Sequence, residues 1–238
     1  MSAVLPLVFV HGIRLSGACW RQQQRLLPGH RVLAPDLPGH GARRDQPFTL
    51  DTAVQAVSEA IDAAGGPVAL VGHSLGGLVS IATAARYPDR VAALVGAGCT
   101  LVPTKGLRRP FLLAHRILTA LPDQGDRFSA RVLRRSLPAE VAGPVIEAGI
   151  ATQVIPEAMV ALGTPDPLGD LARYPGRVLF INGRSDHFRL QERRFRAACA
   201  RGELRTVPGA GHYLPLTHGE TFARFVGDYA TAGPAVGR

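Results

Sequence analysis

Ser74 stands in VALVGHSLGGLVSIATAARYP, residues 68–88, between an apolar β-branched run and a helical pattern, with Gly72 two positions before it and Gly76 two after. G-x-S-x-G at a strand-to-helix corner is the spacing of a nucleophile elbow, a sharp turn that projects the serine hydroxyl from the edge of a sheet. The two glycines leave room for the close backbone packing that such a turn forces. The helix behind the turn offers free N–H groups and the positive end of its dipole, so the Leu75 N–H is a candidate oxyanion donor. A serine hydroxyl alone is a weak nucleophile; it needs a base, and the base needs an orienting acid. After an elbow of this kind the chain order is serine, carboxylate, histidine. The run RVLFING leads into Arg184, Ser185 and Asp186, and the next run leads into PGAGH, which sets His212 in a glycine-rich turn. Asp186 is therefore expected as the acid and His212 as the base, each following a strand on the edge that carries Ser74. His187, His218 and His73 are the competing imidazoles, and His73 must point away for the turn to stay intact.

A second oxyanion donor is expected from the loop after the first apolar run, HGIRLSGACW at 11–20. Gly12 allows the turn there, the Ile13 N–H is the candidate donor, and His11 is expected to brace the loop. Arg14 could meet an anionic group on a substrate, but a surface position is the expectation. Trp20 is expected to pack on the helix that follows it.

These residues need a scaffold, and the hydrophobic pattern predicts one. Apolar runs at 5–12, 30–37, 68–74, 91–99, 177–186 and 203–211 alternate with helical patterns near 18–27, 50–64, 75–87, 190–200 and 218–229. Thr49 or Asp51 is placed to cap the second helix and Thr217 the last. Continuous apolar strands separated by helices predict an α/β fold, a mostly parallel sheet covered by helices on both faces. Ligands of such sheets sit at the carboxyl ends of the strands. The alternation breaks once, between about Val102 and Pro167, where Pro-punctuated helical pieces replace strands. The expected organisation is a core of residues 1–101 and 168–238 with a helical cap inserted at 102–167. Phe111, Leu112, Leu118, Val145, Ile146 and Met159 make the cap aliphatic and point to an apolar acyl or alcohol group in the substrate. Arg131, Arg134 and Arg135 are expected to form a solvated helix face, and the tail after Thr231 is expected to fray.

The composition excludes several function classes. Net charge is +9, but Lys105 is the only lysine, and the Arg, Ala, Gly and Pro content reads as coding bias rather than an anionic partner. No basic run interleaves with aromatics, so nucleic acid is not expected as a partner. Cys19, Cys99 and Cys199 lack metal or disulfide spacing and are expected as reduced packing residues, with no metal and no cofactor. The run Val4–Val10 is too short to span a bilayer and lacks a basic segment before it. A cytoplasmic location and a small-molecule substrate, with no membrane partner, are the resulting expectations; the sequence leaves the oligomeric state open.

FVHG at 9–12, PDLPGHG at 35–41, VGHSLGG at 71–77, NGRSD at 182–186 and GAGH at 209–212 together resemble the α/β-hydrolase fold superfamily over nearly the whole chain outside the cap. The resemblance implies a Ser74–His212–Asp186 triad, an oxyanion hole from Ile13 and Leu75, and a lid-type cap. Ala42 stands where relatives often carry a serine. The implied activity is that of a serine hydrolase cleaving a carboxylic ester, lactone or thioester. GHYLPL after the base is faintly similar to stand-alone editing thioesterases, but HGIRLSG departs from their first loop. The same scaffold also supports carbon–carbon bond hydrolysis, cofactor-free oxygen chemistry, lyase chemistry and ligand reception. Lyases of this type carry a lysine soon after the histidine, whereas Tyr213 follows His212 here.

Overall fold

The computed structural model describes residues 4–163 and 165–231, so the tail after Thr231 lies outside the described residues. In chain order the elements are β1 (Leu7–Val10), α1 (Arg21–Leu26), β2 (Val32–Leu33), α2 (Leu50–Ala64), β3 (Val68–His73), α3 (Leu75–Arg86) and β4 (Val91–Ala97). Then come α4 (Lys105–Thr119), α5 (Asp126–Ser136), α6 (Ala139–Glu147), α7 (Ile155–Ala161) and α8 (Pro167–Arg173). The chain closes with β5 (Arg177–Gly183), α9 (Glu192–Ala198), β6 (Arg201–Val207), α10 (Leu214–Thr217) and α11 (Gly219–Thr231).

The six strands form one sheet in the order β2-β1-β3-β4-β5-β6, with every neighbouring pair parallel. Strands buried on both faces read as unbroken apolar runs, and LVFV and VALVGH are completely buried. Alternate side chains feed two cores. Val8 and Val10 join Val57, Ile61 and Val79 of α2 and α3, while Leu7 and Phe9 join Trp20, Phe222 and Val226 on the other face. The winding direction reverses between β1 and β3, because β2 lies outside β1 while β4, β5 and β6 step outward from β3. A crevice at the carboxyl ends opens at such a switch point, between the loops that follow the two strands. Those loops carry Ile13 and Ser74.

Local signals set the element ends. Thr49 caps α2, accepting from the Thr52 N–H while the Thr52 side chain accepts from the Thr49 N–H, and Gly65 ends the helix in a left-handed conformation. Several expectations shift. The run 30–37 contributes only a two-residue strand, and β6 begins at Arg201 rather than Glu203. Thr217 ends α10 and does not cap the last helix; its hydroxyl donates to the Tyr213 carbonyl one turn back. Trp20, at the start of α1, stacks its ring between Phe9 of β1 and Phe222 of α11.

Between β4 and β5 the chain forms five α-helices, a short 3-10 turn and no strand among the described residues. Ala158 and Met159 of α7 join one core and Leu133, Val141 and Val145 of α5 and α6 the other. The last helix of this segment, α8, packs on α3 and α9. No helix among the described residues is long and apolar enough to cross a membrane.

Candidate active site

Ser74 lies between β3 and α3 with φ of 54° and ψ of −118°, a strained conformation for a residue other than glycine. The neighbours hold it there. A side chain at Gly76 would press into the carbonyl oxygens of Val10 and His11, and one at Gly72 would come within 2.6 Å of the Gly77 Cα. The Ser74 N–H donates to the Ala97 carbonyl of β4 at 2.9 Å, which ties the turn to the neighbouring strand. These packed contacts fix the hydroxyl at the sheet edge.

The three residues picked out from the chain order meet. His212 Nε2 lies 3.1 Å from Ser74 Oγ. His212 Nδ1 lies 3.2 Å from each carboxylate oxygen of Asp186. Asp186 follows β5 and is 4% exposed, and its Oδ1 also accepts the Phe188 N–H at 2.8 Å. Burial acts to raise the Asp186 pKa, but the hydrogen bond from His212, its charge and the Phe188 N–H outweigh burial and hold the carboxyl below its ordinary value. An anionic Asp186 fixes the proton of His212 on Nδ1 and leaves Nε2 free to accept from Ser74. The competing imidazoles stay outside. His187 is exposed, with its ring 5.5 Å from that of His212, and His218 bonds to the Thr217 hydroxyl. His73 points away from Ser74, its Nε2 against the His212 carbonyl at 2.9 Å.

The Ile13 and Leu75 N–H groups have no hydrogen-bond partner among the described residues, and both residues line the cavity that contains Ser74. Leu75 is the first residue of α3, where a helix leaves its N–H groups free. Two buried imidazoles brace the loop that carries Ile13. His11 Nε2 accepts the Leu37 N–H at 3.0 Å, and His40 Nε2 accepts the Arg14 N–H at 3.2 Å. Burial lowers His11 to about 4, His40 to about 3 and His73 to about 3, so all three are neutral near pH 7. Arg14 is not a surface residue: it is half-buried with φ of 67°, and its guanidinium donates to the hydroxyls of Ser129 and Thr152.

Further residues support the site without having been singled out in the sequence. Gly98, just past β4 with φ of 58°, lies directly under the His–Asp pair; a Cβ there would sit 2.9 Å from Asp186 Oδ2 and 3.0 Å from His212 Nδ1. Asn182, fully buried, accepts the Gly98 N–H at 3.3 Å and donates to Thr100 and Glu192 at 3.0 Å. The signal for Gly98 was a glycine at the end of the strand between those of Ser74 and Asp186. Nothing in the spacing distinguished Asn182.

The cavity over Ser74 is narrow, about 60 Å³, and is walled mainly by aliphatic and aromatic side chains, including Leu78, Leu101, Phe111, Met159, Leu162 and Phe188. Of the six aliphatic residues noted between 102 and 167, Phe111 and Met159 reach it. Leu118, Val145 and Ile146 are packed inward elsewhere, and Leu112 is exposed. Cys99 also borders the cavity, and burial pushes its thiol up to about 12, so it is no nucleophile near neutral pH. No cluster of metal-ligating side chains occurs among the described residues.

This arrangement, a parallel sheet with an elbow serine at its switch point, coincides with a family match. Residues 7–225 match the alpha/beta hydrolase family, and the chain belongs to it, as an enzyme of the hydrolase class. Over 88 residues it is 44% identical to Lipase LipV of Mycobacterium tuberculosis, a stretch covering 36% of this chain and 34% of the lipase. It is 26% identical over 252 residues to a 2-hydroxymuconate semialdehyde hydrolase of Pseudomonas sp., covering 98% of this chain and 89% of that protein. In fold it is similar to a thermophilic esterase from Thermogutta terrifontis, with a TM-score of 0.79 and 21% identity over 96% of this chain and 91% of the esterase.

Proposed function

We propose that the chain is a serine hydrolase that cleaves a carboxylic ester, lactone or thioester of a small, largely apolar substrate through an acyl-enzyme. The observation that carries this reading is the continuous hydrogen-bonded line from Ser74 Oγ through His212 to a buried Asp186. The lipase and hydrolase relatives support the same class. Ser74 Oγ attacks the carbonyl carbon as His212 Nε2 takes its proton. The oxyanion forms against the Ile13 and Leu75 N–H groups, each such donor being worth about 3 kcal/mol. His212 then protonates the leaving group, and a water that gives its proton to His212 releases the acid. Asp186 accepts from Nδ1–H throughout and stabilises the charged imidazole. The walls are mainly apolar, with Arg108 the charged side chain among them, which favours an apolar acyl or alcohol group.

The division of the chain belongs to the same proposal: a core of 1–101 and 168–238, and a cap of 102–167 that roofs the cavity with Leu107, Phe111 and Met159. A cytoplasmic setting is part of it too, in keeping with the three free thiols. The test is intact mass after treatment with a fluorophosphonate, followed by an ester, lactone and thioester screen. One adduct on the wild type and none on Ser74→Ala is expected. A folded wild type that takes no adduct and turns over no ester, lactone or thioester would refute the reading.

A further inference from the structure

Six of the ten exposed large hydrophobic side chains of the described residues fall on α4, α5 and the turn between them: Leu112, Leu113, Ile117, Leu121, Phe128 and Val132. A soluble surface seldom gathers such groups without a use. The same stretch, residues 105–136, holds eight basic residues against two acidic ones, and so carries +6 of the net charge of +9. Among the described residues only Arg127 of this set meets a carboxylate, that of Asp123. Charge and apolar bulk share one face. At 100° per residue, Arg109, Leu113, Arg116 and Ile117 point to one side of α4, and Phe128, Arg131, Val132 and Arg135 to one side of α5. The opposite sides converge on the protein at Thr152: His115 of α4 bonds its carbonyl, and Ser129 of α5 shares the Arg14 guanidinium with its hydroxyl. The arginine-bearing sides therefore both turn outward.

We propose that this outward face of α4 and α5 is a docking surface for an anionic lipid bilayer, with the arginines on the headgroups and Leu113, Ile117, Phe128 and Val132 entering the acyl boundary. Interfacial helices have this composition, basic residues beside large apolar ones, and attach peripherally without spanning. A second copy of the chain is a poor occupant, because a symmetric pairing would set this arginine cluster against itself. An acidic protein face would match the arginines but leave four large apolar side chains opposite carboxylates, whereas an anionic bilayer takes both. Docking there has a use for the site: the inner side of α4 lines the cavity with Leu107 and Phe111, so an apolar molecule leaving the bilayer meets the wall beside Ser74.

Co-sedimentation with vesicles tests this independently of any hydrolysis. The full chain is expected to bind vesicles of phosphatidylcholine with phosphatidylglycerol and to stay in solution with pure phosphatidylcholine. Arg131→Ala/Arg134→Ala/Arg135→Ala should weaken binding by roughly a hundredfold. Leu113→Gln/Ile117→Gln/Phe128→Gln/Val132→Gln, all at exposed positions, should weaken it by about tenfold or more. Arg193→Ala/Arg196→Ala/Arg205→Ala, which removes the same charge from the far end of the sheet, should change it by less than about threefold. Turnover of a water-soluble ester and the circular dichroism spectrum should match wild type in all three. Equal binding to both vesicle types, or equal loss in the two arginine triples, would overturn the proposal. So would undiminished binding by the glutamine variant, which would leave attraction by charge alone and point to an acidic protein instead.

Discussion

Around Ser74 nearly every atom has a neighbour that fixes it: β3 and β4 clamp the turn, Gly98 lies under the His–Asp pair, and Asn182 ties Gly98 to β5. Between residues 102 and 167 the packing is one-sided. α4, α5 and α7 bury one stripe each and leave Leu113, Ile117, Phe128 and Val160 in solvent. The sheet edge holds a fixed geometry, which reaction chemistry requires. The helical segment supplies walls and a surface, where many aliphatic arrangements serve equally well. Substitutions at the sheet edge should therefore act on turnover, and those on the outer helices on access and association.

The sharpest way to break this contrast is Ser74→Ala. Turnover should fall by about 10⁶, roughly 8 kcal/mol of transition-state stabilisation, with thermal unfolding no lower than wild type. The substitution removes one oxygen and leaves the backbone turn in place. Residual turnover near wild type would show that the elbow is scaffold only.

Acid separates the two regions next. His11, His40 and His73 are all buried in the sheet half of the molecule, with pKa values of about 4, 3 and 3. Below pH 6.5 the unfolded chain binds protons at these three sites and the folded chain does not. Stability should be flat between about pH 7 and pH 8 and fall below pH 6.5 by about 1.4 kcal/mol per pH unit for each histidine, roughly 4 kcal/mol per unit in all, until the folded values are reached. The Asp186 carboxylate adds to the loss only at lower pH, as it protonates near and below the usual carboxylate range. Urea melts between pH 7 and pH 5 check this, and His73→Gln should flatten the slope by about a third.

His40 tests how far the fixed geometry extends. Its Nδ1 faces the Pro38 carbonyl at 2.9 Å, so Nε2 is the acceptor for the Arg14 N–H. That bond steers the peptide next to the proposed Ile13 donor. His40→Leu keeps bulk and loses the acceptor; kcat should drop by roughly ten- to a hundredfold with KM little changed. His40→Gln, which restores an acceptor oxygen, should recover part of the loss. A rise in KM alone would make His40 a wall of the substrate site instead of a brace.

What could be read from the sequence follows the same division. Ser74, Asp186 and His212 were legible because each follows a strand, and parallel strands bring their ends to one edge. The sheet was legible for the same reason in the number of its strands and their order along the chain, although β2 shrank to two residues and β6 starts two residues early. Arg14 was not legible: its expected exposure failed because two hydroxyls, more than a hundred residues away in sequence, receive it. His40 and Asn182 act through bonds whose partners spacing does not reveal. In the helical segment, periodicity marked an apolar side but not what it met. Phe111 and Met159 face the cavity, Val145 faces core, and the exposed Leu113 and Ile117 carry the same letters as buried residues.

The smallest effect tests the loose side of the comparison. Gly76 at the sheet edge has no room for a methyl group, because two carbonyl oxygens occupy the space. Gly106 lies in the first turn of α4 and is exposed, and a Cβ there meets only the Thr104 hydroxyl, at an ordinary 3.8 Å. In an open helix position the glycine only adds freedom to the unfolded chain and lowers helix propensity. Gly106→Ala should therefore raise stability by about 0.5–1 kcal/mol, read as a small upward shift in the urea midpoint, with kcat unchanged. A loss of turnover with that gain would mean that α4 must flex for the site to work, which would move part of the function from the rigid edge into the helices above it.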